Sequence, residues 1–207
     1  MSRKLYYFPM IHTAADFGTL GEAALRAKAA ALGRRGAQLD AARIARLWHE
    51  IEIAADRISF PSGGLRVYQD GLPVCDRVEQ IVEDLAAAGS ANHRILRKLH
   101  SRGAALMGTE DPELLVEEYQ LAGKGLVAKG TQGARVSPHG GPPEKDALLD
   151  RRDRFIASRI NATLEPDEAG ILFIGALHAV APYLNPDIQV VYPLYRPAGA
   201  RSSGSGT

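Results

Sequence analysis

Four apolar runs of the chain each lead into a side chain that can bind a metal ion or move a proton. These residues are His12, Asp70, Glu110 and His178. Imidazole is a common metal ligand and the only unperturbed side chain that titrates near neutral pH. Histidines and carboxylates together suit divalent transition ions such as Zn, Mn, Fe or Co. If the four side chains meet, they form either a metal site or an acid–base centre.

The apolar runs themselves predict five buried strands, at 5–11, 65–68, 104–107, 170–177 and 188–194. The run 170–177 is too continuously apolar to alternate, which is typical of a central parallel strand covered on both faces. In open α/β sheets, ligands bind in the crevice outside the carboxyl ends of the strands. Parallel pairing would therefore gather the four candidate side chains at one edge of the sheet.

Segments with helical periodicity or composition separate the strands. The predicted helices are 20–32, 40–58, one capped by Asp76, 92–99, one that begins at Pro112, and 144–164. Asp76 and Glu79 have capping-box spacing, and Thr109, Glu110 or Asp111 can cap the helix at Pro112. Alternating strands and helices predict an α/β fold with three layers, helix, sheet and helix, around a mostly parallel central sheet.

The length of 207 residues fits one α/β domain, which we assign to residues 1–195. Glycines and prolines accumulate in a long loop at about 122–143, and residues 196–207 are predicted to form a flexible tail. Loops of this length inside a domain are usually functional or disordered. A lid over the strand ends and plain disorder are both open for this loop.

Each candidate also has a structural interpretation. A single histidine at the end of a strand is more often a hydrogen-bonded structural residue than a ligand. Asp70 can form a turn with Gly71, and Glu110 can cap a helix. Arg152 belongs to a basic stretch with Arg151 and Arg154, and a guanidinium there can hold a carboxylate or stabilise an oxyanion. The alternative for these arginines is a solvated helix face.

Composition narrows the class of partner and the compartment. The chain has 25 basic and 24 acidic residues, a formal charge of +1, which does not predict nucleic-acid binding. The single cysteine, Cys75, and a start that lacks signal-peptide order favour a reducing cytoplasm. The longest apolar stretch is well below the roughly 18 residues of a membrane span, so we predict no membrane partner. If the domain assembles, a homodimer is the commonest arrangement.

The order of the motifs resembles the TraB/Tiki superfamily, which includes ChaN-like and erythromycin esterase-like proteins. An early strand ends in His12, and acidic residues follow. Arg152-Asp153 then lies in the predicted helix 144–164, followed by Ile156 and Ile160, and a late strand ends in the Gly-x-x-His motif 175–178. Pro9 stands where the family usually has the first glycine of an equivalent motif. The resemblance implies an α/β domain whose members hydrolyse peptide or ester bonds or bind haem, with both histidines, an arginine and an acidic residue in one cleft.

The sequence therefore predicts a hydrolase that acts on a small-molecule or peptide substrate. Its catalytic residues would be His12, His178, Arg152, Asp70 and Glu110, and all except Arg152 are candidate ligands of a divalent metal. The histidines would hold that metal or activate water directly, and Arg152 would stabilise the oxyanion. The alternative is a non-catalytic protein that binds haem, a metal or an anionic metabolite.

Overall fold

A computed structural model describes residues 3–11, 21–127 and 143–194. In these ranges, five strands form one sheet in the order β3-β2-β4-β1-β5, and every pair is parallel. The strands are β1 Arg3–Met10, β2 Leu65–Gln69, β3 Ala105–Met107, β4 Ala169–Gly175 and β5 Ile188–Val191. The predicted α/β fold with a mostly parallel sheet is confirmed.

The register with the central strand β4 shows where the neighbouring strands end. All seven of its residues are buried, as its continuous apolar sequence predicts for a strand covered on both faces. Met10 of β1 pairs with Gly175, and Gln69 of β2 pairs with Phe173. The carboxyl ends of β1, β2 and β4 therefore lie side by side.

Helices cover both faces of the sheet. They are α1 Gly21–Asp56, α2 Val78–Ala87, α3 Ala91–Ser101, α4 Pro112–Val127 and α5 Pro143–Thr163. One core forms where Trp48 and Ile51 of α1 and Leu96 of α3 meet the sheet. The second core lies on the other face, where α5 contributes Ile156 and Ile160. No helix within the described ranges combines the length and apolarity of a membrane span.

Several predicted boundaries differ from the structure. The two helices expected on either side of Gly33 form one element, α1, with a kink where Gly33 has φ 69° and ψ 166°. The cap predicted at Asp76 is wrong, because α2 has Arg77 as its N-cap and no side-chain cap. Asp111 does accept from the backbone N–H of Glu113 at the start of α4.

The first part of the loop predicted at about 122–143 is helical, because α4 continues to Val127. Glycines at 123 and 125 did not end this helix. Residues 128–142 lie outside the described residues, and so do His12 and the predicted tail, 196–207.

Gly108 allows the loop after β2 to pass directly over the end of β3. A Cβ at this position would lie 2.6 Å from Val74 Cα and 2.7 Å from the Pro73 carbonyl oxygen. We expect Gly108→Ala to reduce the free energy of unfolding by about 1–3 kcal/mol, because the backbone of the loop must shift. Urea unfolding tests this, and an unchanged midpoint and slope would show that the loop has room for a methyl group.

Candidate functional site

Three predicted side chains converge beyond the ends of neighbouring strands. Asp70 follows β2, Glu110 follows β3, and His178 follows β4, and one ligand atom of each lies within 4.8 Å of the others. Asp70 Oδ2 is 3.5 Å from His178 Nε2. The side chains are 3%, 0% and 5% exposed, respectively. The cluster is therefore nearly removed from bulk water.

Asp70 is fixed by the backbone at the junction of β2 and β4. Its own N–H donates to the carbonyl of Phe173 at 2.9 Å, which continues the ladder beyond the last residue of β2. Its Oδ2 accepts from the N–H of Gly175 at 2.8 Å. The carboxylate thus lies across the end of β4. Asp70 also forms the turn with Gly71 that its sequence indicates, since the Leu72 N–H donates to the Gln69 carbonyl at 3.2 Å.

Glu110 is held by the loop that follows β2. Its N–H donates to the carbonyl of Leu72, and its carbonyl accepts from the N–H of Val74. Its Oε1 also accepts from the N–H of Gly71 at 3.3 Å. The predicted role as a helix cap does not apply, because this carboxylate points into the cluster and Asp111 caps α4 instead.

His178 reaches the cluster because β4 ends earlier than the apolar run does. The strand stops at Gly175, and Ala176 and Leu177 form a turn closed by the His178 N–H donating to the Gly175 carbonyl at 3.0 Å. The turn changes the direction of the chain, so that the imidazole faces Asp70. The Gly-x-x-His motif is therefore a strand end followed by one tight turn.

Arg152 of α5 joins the two carboxylates. Its Nη2 donates to Asp70 Oδ1 at 2.8 Å and to Glu110 Oε1 at 2.6 Å, and its Nε donates to Glu110 Oε2 at 3.2 Å. Its Nη1 is 2.7 Å from Oε1 of Glu118 on α4. Arg152 is 4% exposed, whereas the side chains of Arg151 and Arg154 are 54% and 62% exposed. Only Arg152 of this basic stretch belongs to the site.

Asp153, which the sequence did not single out as a site residue, holds the far side of the imidazole. Its Oδ1 lies 2.5 Å from His178 Nδ1, and its Oδ2 accepts from the Ala179 N–H at 2.8 Å. The one sequence feature that could have indicated Asp153 was its place next to Arg152 in the Arg152-Asp153 pair. Both residues of this pair reach the cluster from α5. A charged pair at adjacent positions is ambiguous in sequence, because neighbouring residues of a helix point about 100° apart.

The cluster perturbs the pKa values of its members. Burial raises the pKa of Glu110 to about 7, although Arg152 acts in the opposite direction. Burial acts against a charged imidazole, but Asp70 and Asp153 outweigh it and raise the pKa of His178. Three buried carboxylates thus share one guanidinium and one imidazole. This excess of acidic groups favours an additional proton or a metal cation.

An open groove of about 480 Å³ lies elsewhere, between α1 and the β5 edge of the sheet. Tyr6, Ile53, Val191 and Leu194 contribute to its walls, and none of the cluster residues does. Tyr6 therefore faces this groove, while Tyr7 and Tyr68 are buried in the core under α5. The groove and the cluster are separate features.

Of the five predicted site residues, the structure brings together Asp70, Glu110, Arg152 and His178. The fifth, His12, lies outside the described residues. No family model matches the chain, and neither a curated protein nor a solved structure matches it. The resemblance to the TraB/Tiki superfamily accordingly stays a prediction.

Proposed function

We propose that this protein is a metal-dependent hydrolase of the TraB/Tiki type whose metal ligands include Asp70, Glu110 and His178. The observation that carries the proposal is the convergence of their ligand atoms within 4.8 Å in a site almost closed to bulk water. One imidazole and two carboxylates suit zinc, manganese, iron or cobalt. The acidic excess of the cluster also favours a cation at this position.

Asp70, Glu110 and His178 would hold a divalent metal, which would supply a water with its pKa lowered to about 7 and hence a nucleophile at neutral pH. The role of the protein is to supply the ligands in a fixed arrangement. Asp70 is oriented by the Gly175 N–H, and Glu110 is oriented by the Gly71 N–H and Arg152. The substrate would be a small molecule or peptide with an ester, amide or phosphate bond.

Arg152 has a different role in this proposal from the one its sequence position suggested. Its Nε and both terminal nitrogens face carboxylates, so the guanidinium is directed at Asp70, Glu110 and Glu118. An oxyanion would compete with these partners. We therefore assign Arg152 to positioning and charge-balancing the two buried carboxylates.

The alternative is that the cluster binds a metal without turnover. The three buried carboxylates Asp70, Glu110 and Asp153 count against an anionic metabolite, because it would approach a region of like charge.

The single cysteine, Cys75, is exposed and forms no disulfide, which fits the proposed cytoplasmic location.

The test is calorimetric titration of the chelator-treated protein with Mn²⁺ and with Zn²⁺, followed by a screen of ester, amide and phosphate substrates. We expect His178→Gln and Asp70→Asn each to weaken metal binding at least about tenfold, since even the loss of an outer contact costs 10–100-fold. His49→Gln, at an exposed histidine of α1, is the matched control.

Circular dichroism establishes that each variant is folded. Equal metal affinities in the wild type and both site variants would refute the metal site. Metal binding at the cluster without turnover of any substrate class would support the binding protein instead of the hydrolase.

A further inference from the structure

We infer that Asp153 is a positioning residue that fixes His178 in the tautomer with hydrogen on Nδ1, so that Nε2 presents its lone pair to Asp70 and Glu110. The inference rests on the proposed function only in making Nε2 the atom that binds the metal. Its basis is the placement of the two oxygens of Asp153, at His178 Nδ1 and at the Ala179 N–H.

Both ring nitrogens of His178 face a carboxylate, but at different distances. Nδ1 lies 2.5 Å from Asp153 Oδ1, whereas Nε2 lies 3.5 Å from Asp70 Oδ2, which is long for a hydrogen bond. The shorter contact therefore favours hydrogen on Nδ1 of the neutral ring. An ionised carboxylate offers only acceptors, and a neutral imidazole has one donor nitrogen and one acceptor nitrogen. The Ala179 N–H can only donate, and it occupies Oδ2. Oδ1 needs a donor, which His178 Nδ1 supplies when it carries the hydrogen. Nε2 of the neutral ring is then the acceptor.

The surroundings of Asp153 make it suitable for this role. Asp153 is 3% exposed and lies beside Arg152 on α5. The same helix therefore positions both Asp153 and the guanidinium that binds Asp70 and Glu110. The contact with Ala179 ties the chain after the turn to that helix. Histidines that bind metals commonly donate their second ring N–H to a carboxylate, which fixes the orientation of the ring.

Asp153→Asn separates this role from simple packing. An asparagine has one acceptor oxygen and one donor nitrogen, but its two partners here both require an acceptor. The Ala179 N–H cannot change its character, whereas the imidazole can move its hydrogen to Nε2. We expect the asparagine oxygen to retain Ala179 and its amide to donate to Nδ1. The variant would then keep its shape and present a blocked Nε2.

The experiment is ¹⁵N–¹H NMR of histidine-labelled, metal-free protein at a pH where the ring is neutral. The two-bond couplings identify the tautomer, and the His178→Gln spectrum identifies the signals of His178 among the six histidines. We expect the Nδ1–H tautomer in the wild type and the Nε2–H tautomer in Asp153→Asn. Manganese affinity should fall about 10–100-fold in that variant, and Asp153→Glu should restore part of it.

Asp150→Asn is the matched control, because Asp150 lies three residues earlier on the same helix and contacts Arg154 and Tyr183 instead of the cluster. It should change neither the tautomer nor the affinity. An Nε2–H tautomer in the wild type, or an unchanged tautomer in Asp153→Asn, would overturn the inference. A tautomer that switches as expected in a protein without turnover would support the positioning role and refute the hydrolase.

Discussion

Replacing Arg152 with alanine is expected to lower the free energy of unfolding by about 3–5 kcal/mol, which is typical when one partner of a buried ion pair is removed. Asp70 and Glu110 are both nearly fully buried and both accept from this guanidinium. Without it, two carboxylates remain close together with His178 as their nearest cationic partner. Urea unfolding at about pH 8, where most of Glu110 is ionised in the wild type, measures the loss.

Arg151→Ala is the control for this experiment. Arg151 is the preceding residue of α5, but its side chain is 54% exposed and its partner is Glu117. Exposed ion pairs contribute only about 0–1 kcal/mol. Similar losses in the two variants would mean that the buried carboxylates do not depend on Arg152. We also expect the Arg152→Ala loss to shrink at about pH 5, because protonation of Glu110 relieves its uncompensated charge.

The second large effect is the pH dependence of stability in the metal-free protein. Burial raises the pKa of Glu110 from 4.5 to about 7, so the folded state keeps a proton that the unfolded state has lost between these values. Stability from this group is complete below about pH 4.5 and decreases as the pH rises through about 7. The difference corresponds to about 3 kcal/mol at most.

Glu110→Gln removes this contribution, because the amide does not titrate. We expect the variant to lose less stability than the wild type between about pH 5 and about pH 8, measured by urea unfolding at each pH. Some loss should remain, since the raised pKa of His178 acts in the same direction. Glu83→Gln, at a side chain that is 54% exposed, should keep the wild-type slope. Equal slopes for Glu110→Gln and the wild type would show that Glu110 is already ionised at acidic pH.

The candidate site was predictable to the extent that it depends on strand ends. Asp70 and Glu110 follow short apolar runs, and the parallel sheet places such positions at one edge. Residue type does not select Arg152 among three neighbouring arginines, because all three are equally basic, and only the family resemblance indicated this position. The structure distinguishes them by burial, which depends on how α5 is rotated against the sheet.

The residues that cap the helices were less predictable, because capping also depends on which groups the fold brings near a carboxylate. Asp76 and Glu79 have the right spacing for a capping box, yet α2 begins at Val78 and uses no side-chain cap. Thr109, Glu110 and Asp111 were all candidates for the cap of α4, and the structure gives that role to Asp111. A carboxylate can accept from the free N–H groups at the start of a helix or from an arginine. The local sequence does not determine which of these donors lies nearby in the fold.

The sequence by itself determined the α/β class, the central place of the most apolar strand and the positions of side chains whose types can bind a metal. These properties depend on the period of apolar residues and on residue type, both of which are local. Only the tertiary structure decided that Arg152 would neutralise two carboxylates, and that Asp153 would hold His178 from a helix 25 residues earlier in the chain. Contacts between distant residues depend on how helices pack over the sheet, and that packing is set by the whole core.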